Sequence, residues 1–311
     1  MNKKTKFITI FFVFLFIQTQ LQPTSIPGWW LLQKNYTAVS DTFLSSSFLE
    51  IDALQMISNN PSSLMFYKGK SGVSFSTEVS MLNILYSGIF YANKLKSVGV
   101  FGGVFYNDFG QETVQYIDLG TEKSKNINLQ KEMLLVLSLS KLLREKISFS
   151  TTLKVAHSAI QEKSAWASTL DLNFLFISLM KNLNLSVAFK NLGFATKFEE
   201  ETDELPLSFL VASSYLLSIK NFTFEFGLNL PYVINYKFFP SIGLSFIKYP
   251  FKISFSYVFN KTDNNFLIGI SWTIKNFEIS YGLVPNIYRD LTQNSSGIQV
   301  LKIIPFFKLY F

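Results

Sequence analysis

Cysteine is absent from this chain. Disulfides, thiolate metal sites, cysteine nucleophiles and a lipidated N-terminal cysteine are therefore excluded. Histidine is nearly absent as well, with His157 alone. Charge is scarce: Asp, Glu, Lys and Arg make up 16% of the 311 residues, against roughly 25% in an ordinary soluble domain. The formal net charge of +7 includes Lys3, Lys4 and Lys6. What remains is too little and too scattered to point to nucleic acid. Beyond the N-terminal leader no apolar run reaches the roughly 18 residues that a membrane-spanning helix needs.

Aromatic and apolar bulk is what the chain does have, with 48% hydrophobic residues, 34 Phe and 14 Tyr. Such residues favour strands. An apolar excess without a spanning helix predicts an all-β transmembrane antiparallel barrel, wetted outside by lipid. The leader "MNKKTKFITIFFVFLFIQTQ" sets three lysines ahead of an apolar run over residues 7–17, and polar residues follow at once. That pattern predicts a signal peptide over residues 1–22, although no clean small-residue cleavage site is visible, and therefore export.

Side chains then alternate with period two. In "NLNLSVAFKN", Leu183, Leu185, Val187 and Phe189 share one face, while Asn184, Ser186, Ala188 and Lys190 share the other. "FTFEFGLNL", "FKISFSYVFN" and "FEISYGL" repeat the pattern. The polar face is mostly Ser, Asn, Gly and single lysines, which suits a lumen better than the charged outer face of a soluble sandwich.

Outer-membrane barrels have short periplasmic turns and longer external loops. Reading backward on that rule gives about fourteen strands over residues 70–311. The tight links "ANKLK", "LLRE", "IKNF", "KYPF" and a second "IKNF" fall on one side, and segments 107–129, 193–206 and 284–297 fall on the other. Residues 112–119 look strand-like, but counting them would make the number odd, so they are read as a loop excursion. An even number lets the first and last strands pair and leaves no open edge. The closing strand is expected over residues 300–311, with Leu301, Ile303, Phe307, Leu309 and Phe311 on one face. A terminal aromatic in that register resembles the signal by which such barrels reach their assembly machinery. Residues 23–69 are not barrel-like. The stretch "SSSFLEIDALQMISNNPSSLMFYKG" predicts a short helix that breaks at Asn60-Pro61, covered by the lumen as a plug.

This stretch, with the paired strands that follow, resembles the N-terminal signature of the FadL-type fatty-acid transporters and the related PorV/PorQ outer-membrane family. Asn60, Pro61 and Leu64 match, while Ser62 and Ser63 replace the family's Ala and Gly. "TLKVAHSAIQEKSAWASTLDLNFLF" resembles the PorV/PorQ family's lysine-containing strand and hairpin, with Asp171 in place. "VAFKNLGFATKFEEETDELPLSFL" resembles the family's Asn-Leu-Gly segment, acidic loop and Leu-Pro entry, with Asn191, Gly193, Leu205 and Pro206 matching. The resemblance implies a fourteen-strand barrel with an N-terminal plug. It also implies a side gate: in FadL-type transporters a kinked third strand opens the wall beside the Asn-Pro motif. Gly102 and Gly103, consecutive in "SVGVFGGVFYNDFG", would then mark a bulge or kink, or else relieve crowding against a bulky neighbour.

Other chemistry is thin. His157 points outward by strand parity, so the adjacent Ser158 faces the opposite way and cannot partner it as a hydrolase pair. No phosphate loop, metal cluster or carboxylate dyad is legible, and no cofactor or enzymatic activity is expected. The acidic run Glu199, Glu200, Glu201, Asp203 and Glu204 reads as a solvated external loop. Trp29, Trp30, Trp166 and Trp272 read as girdle positions at the membrane interfaces, or as ligand contacts. Two functions remain open in the bacterial outer membrane. One is passive uptake of small hydrophobic ligands such as long-chain fatty acids through a plugged lumen. The other, implied by the PorV/PorQ resemblance, is a non-transporting barrel that holds a secretion-system partner.

Overall fold

The computed structural model describes residues 29–33, 54–67, 69–79, 85–118, 121–198, 204–234, 240–259, 265–274, 277–287 and 292–302. The chain runs through β1 (Ser71–Val79), β2 (Leu85–Lys94), β3 (Val98–Asp108), β4 (Gln111–Asp118), β5 (Thr121–Asn128), β6 (Gln130–Arg144), β7 (Ile147–Ile160) and β8 (Lys163–Met180). It continues through β9 (Leu183–Ala195), β10 (Ser208–Ile219), β11 (Phe222–Val233), β12 (Ser241–Lys248), β13 (Phe251–Val258), β14 (Asn265–Ile274), β15 (Phe277–Ile287) and β16 (Thr292–Lys302). Fourteen of these strands close into one barrel, with β1 antiparallel to both β2 and β16, while β4 and β5 pair only with each other.

Strand β6 shows what decides the sidedness. Glu132, Leu134, Val136, Ser138 and Ser140 are buried, whereas Leu135, Leu137 and Leu139 are more than half exposed. In water such an outer face would be costly, because apolar surface is worth about 25 cal/mol per Å² removed from solvent. In hydrocarbon the same leucines cost nothing and the sealed ladder leaves no backbone group unpaired. Phe251, Ile253, Phe255, Ile270 and Trp272 continue this outer face on β13 and β14. Among the described residues no helix is long and apolar enough to cross a membrane.

Four readings of the sequence change. The closing strand is β16, about ten residues earlier than the expected 300–311, and residues 303–311, Phe311 included, lie outside the described residues. Its pairing with β15 reaches Ile287↔Thr292, so only residues 288–291 connect the two, where a long external loop over 284–297 was expected. Asn294, Ser295, Ser296 and Gly297 have weak strand propensity and are held by the ladder to β15, with Ser296 and Gly297 also paired to β1. The strand signal at 112–119 is real but builds the separate β4–β5 hairpin, which extends the β3–β6 pair outward, with Phe109 and Leu129 amides donating to the Gln130 and Gly110 carbonyls at 2.9 and 3.0 Å. Strands β7 and β8 meet at a two-residue turn, Gln161-Glu162. Finally, β3 has no bulge at Gly102-Gly103: the ladders to β2 and β6 run through both glycines without a register shift. Of the expected segments, the leader over residues 1–22 lies outside the described residues.

The described N-terminal pieces lie inside the barrel. They are the short helix α1 (Trp30–Gln33), helix α2 (Leu54–Asn59) and a 3-10 turn (Pro61–Phe66). Asn60 separates the last two with φ −139° and ψ 84°, outside the helical region that a following proline disfavours.

Candidate functional site

Two sets of polar contacts tie this inner segment to the wall. The lower set surrounds Asn60-Pro61. The Asn60 side-chain amide donates to Ser186 Oγ at 3.1 Å, Ser140 Oγ donates to the Pro61 carbonyl at 2.7 Å, and Ser148 Oγ donates to the Ser62 carbonyl at 2.8 Å. Within the turn, Ser62 Oγ donates to Asn60 Oδ1 and Ser63 Oγ to the Asn60 carbonyl. The three wall serines lie on the halves of their strands that lead to the tight turns at 145–146 and 181–182, so this set lies toward the short-turn rim, the periplasmic end by the rule for such barrels. Leu64 packs against Gly99, where a Cβ would come within 2.7 Å of its Cδ2. Lys94 Nζ donates to the Tyr67 carbonyl and fixes the segment's exit.

The upper set is a buried hub. Lys154 Nζ lies 2.6 Å from Asp171 Oδ2 with both side chains over nine-tenths buried. Lys154 also donates to Asn191 Oδ1 at 3.0 Å, and the Asn191 backbone amide donates to Asp171 Oδ1 at 2.8 Å. The Asn191 side-chain amide spends its two protons on the Leu32 carbonyl at 3.1 Å and the Pro206 carbonyl at 2.9 Å. One side chain thus joins the wall, helix α1 and the connection into β10. Nearby, the Leu31 amide donates to Glu132 Oε2 at 2.9 Å.

The hub exists because β9 is irregular there. The β8–β9 register slips between Leu170↔Leu192 and Leu172↔Phe189, and Asn191 takes φ 63°. This left-handed conformation suits asparagine better than most residues. The inward parity predicted for Asn184, Ser186 and Ala188 holds below the bulge, and Asn191 rather than Lys190 is the buried residue at it. Just above, a Cβ on Gly193 would meet the Ser168 carbonyl oxygen at 2.0 Å, an approach that only glycine allows. Asp171 of β8, Asn191 and Gly193 of β9, and Pro206 of the connection into β10 therefore meet at one place. Lys154 and the serine clamps escaped the sequence reading: inward parity marks Ser140, Ser148 and Ser186 as luminal, but nothing in it says which luminal serine touches the inner segment.

Between the two sets the lumen is apolar. Ile57, Leu64, Tyr67, Leu31, Leu32 and Trp29 pack in one cluster against Phe90, Phe101, Phe105, Leu134, Val136 and small alanines of β7 and β8. Trp29 is therefore a luminal core residue, 1% exposed and 6.0 Å from Phe198 in ring centroids, and not a girdle position, because α1 lies inside the wall. Trp30's side chain is outside the described residues. Trp166 and Trp272 do face outward. Gly103 faces the apolar cluster, where a Cβ would meet Phe90 Cβ at 2.8 Å, while Gly102 faces out with its nearest neighbours at 3.7 and 3.9 Å. The opposite inner wall, β11 to β15, is polar: Glu225, Ser245, Lys252, Ser254, Ser271 and Glu278 are buried there. His157 packs against Trp166 on the outer face, ring centroids 4.4 Å apart and the planes tilted by 45°, while Ser158 is buried inside and accepts from Gln130. The imidazole and the hydroxyl thus stand on opposite sides of the wall. Of the acidic run, residues 199–203 lie outside the described residues.

No protein-family model and no curated protein matches this sequence. Solved structures do. The chain is similar to the Pseudomonas putida toluene transporter TodX, with a TM-score of 0.62 and 10% identity over 90% of this chain and 98% of that one. It is likewise similar to the monoaromatic hydrocarbon channel CymD, with a TM-score of 0.61 and 10% identity over 86% of this chain and 97% of that one. At this identity the likeness is one of fold, and it does not carry the PorV/PorQ half of the resemblance. The chain has the bacterial outer-membrane β-barrel fold that these proteins share.

Proposed function

We propose that the protein is a passive outer-membrane channel for small apolar molecules, with the inner segment as its plug. The observation that carries this reading is the apolar inner wall around Phe90, Phe101, Phe105, Leu134 and Val136, in a barrel whose remaining inner face is mostly Ser, Asn and charged side chains. A water-filled pore gains nothing from an aromatic lining, whereas a greasy solute is recognised by little else. The fold shared with TodX and CymD supports it. Monoaromatic compounds and single acyl chains of fatty acids both suit such a lining. The exit is assigned to β3, where Gly102 and Gly103 leave the wall without side chains at the level of the cluster and above the Asn60-Pro61 turn. The ladders on either side are intact, so exit requires them to part.

Protein in lipid vesicles should admit toluene or a long-chain fatty acid faster than empty vesicles do, and admit a polar solute of matched size no faster. Gly102→Val, which has room for its side chain, should cut apolar entry several-fold while the barrel assembles normally. Unchanged entry removes the side exit from β3, and entry equal to that of empty vesicles removes the channel.

A second reading is favoured by the β4–β5 hairpin, which stands clear of the barrel with its residues exposed on both faces, Ile117 at 75%. Such a projection offers edges and apolar side chains to a partner such as a secretion component. The absence of saturable apolar ligand binding, read by ligand-dependent fluorescence of the purified barrel, would shift the assignment to this reading.

A further inference from the structure

From the short-turn rim we infer a second recognition surface, a belt that selects anionic phospholipid in the leaflet it meets. Each of the five described short connections, at residues 95–97, 145–146, 181–182, 220–221 and 249–250, carries or adjoins a lysine. Lys96, Arg144, Lys146, Lys181, Lys220 and Lys248 are all exposed, and Glu145 is the one acidic residue in these connections. None of the six cations is paired with a carboxylate among the described residues. At the opposite end the signs are mixed and partly neutralised, as in the Lys123–Asp118 and Lys131–Asp108 pairs.

What surrounds these cations separates a lipid belt from a solvated rim. Next to them stand Leu95, Leu143, Met180, Ile219 and Tyr249, exposed at 51%, 52%, 68%, 50% and 73%. A turn in water has no use for such side chains. At the edge of hydrocarbon they are immersed, and the neighbouring lysine stems reach past them to put the ammonium at the phosphate level. Lys248 shows the geometry, its Nζ 4.8 Å from the centroid of the Phe222 ring. The arrangement is also a ring, since the five connections follow one another round the wall from β2 to β13. A single acidic protein would need a patch on one side, whereas an annulus of phosphate headgroups meets every turn alike.

The test uses the full chain in vesicles of equal phosphatidylglycerol and phosphatidylcholine, extracted in polymer-bounded discs with the lipid counted by mass spectrometry. The discs should be enriched roughly fivefold in phosphatidylglycerol, the effect of about one lysine near a charged surface. Neutralising Lys96, Lys146, Lys181, Lys220 and Lys248 to Gln should abolish the enrichment, Lys248→Gln alone should lower it, and Lys125→Gln with Lys163→Gln at the other end should leave it intact. Shifted migration of the unheated protein on gels verifies that each variant is folded. Equal lipid counts for the wild type, or enrichment that survives the fivefold change, overturn the belt. Inorganic phosphate that erases the enrichment at matched ionic strength reassigns the lysines to a free anion. Binding of soluble polyglutamate with no lipid preference reassigns them to an acidic polypeptide.

Discussion

Asn191 carries more than its size suggests. Its bulged, left-handed backbone presents the amide to Asp171, its side-chain Oδ1 accepts from Lys154, and its two side-chain protons hold Leu32 and Pro206. A fully satisfied buried group of this kind is stable only as a whole. Removing Lys154 alone leaves the Asp171 carboxylate buried without its cation, and such half-broken pairs cost about 3–5 kcal/mol. Lys154→Met should therefore lower the temperature at which the folded band converts to the unfolded one on gels. Combining it with Asp171→Leu should recover part of that loss, because neither partner is then left charged. Additive losses would mean that the two side chains do not act as a pair. Asp171, Asn191, Gly193 and Pro206 were legible in the sequence only as a resemblance. Their common place was not, because it depends on a register slip between β8 and β9 that no local pattern marks.

At the scale of elements, period-two alternation carried the barrel wall, since lipid outside and serine inside leave an unambiguous imprint on strands such as β6 and β13. It failed where composition departs from propensity. Strand β16 contains a Ser-Ser-Gly stretch and forms because β1 and β15 present ladders on both sides of it. Strand β4 has the opposite character: it is strand-like in composition, yet it and β5 pair only with each other. Their independence has a consequence. Excising residues 111–128 and joining β3 to β6 by a short turn removes no rung of the barrel, so the melting behaviour on gels should change little and apolar entry should persist. A variant that fails to assemble would show that the hairpin guides closure, and one that assembles but loses binding of a partner would place that partner on the hairpin.

Across the whole molecule the lumen has two unlike halves. One, around Phe90, Phe101, Phe105, Leu134 and Val136 of β2, β3 and β6, is apolar and covered by the inner segment, and the other, along β11 to β15, is polar with Glu225 and Lys252 3.9 Å apart and Glu278 accepting from Ser271 and Ser280. The sequence reading found the polar face of each strand but not this division, because the apolar half is defined by what packs on it from a separate N-terminal part of the chain. The inner segment is held at two levels, by the serines near the short turns and by the hub above. Each net hydrogen bond is worth about 1 kcal/mol, so cutting one level loosens the segment without expelling it. Ser140→Ala, Ser148→Ala and Ser186→Ala together should raise the small-ion conductance of single barrels in planar bilayers, with brief openings, since the freed lower end uncovers the polar half. Adding Asn191→Ala should lengthen those openings, because both levels are then cut. If the conductance of the fourfold variant equals that of the wild type, the segment does not obstruct the lumen, and the plug falls while the barrel and its lipid-facing wall stand.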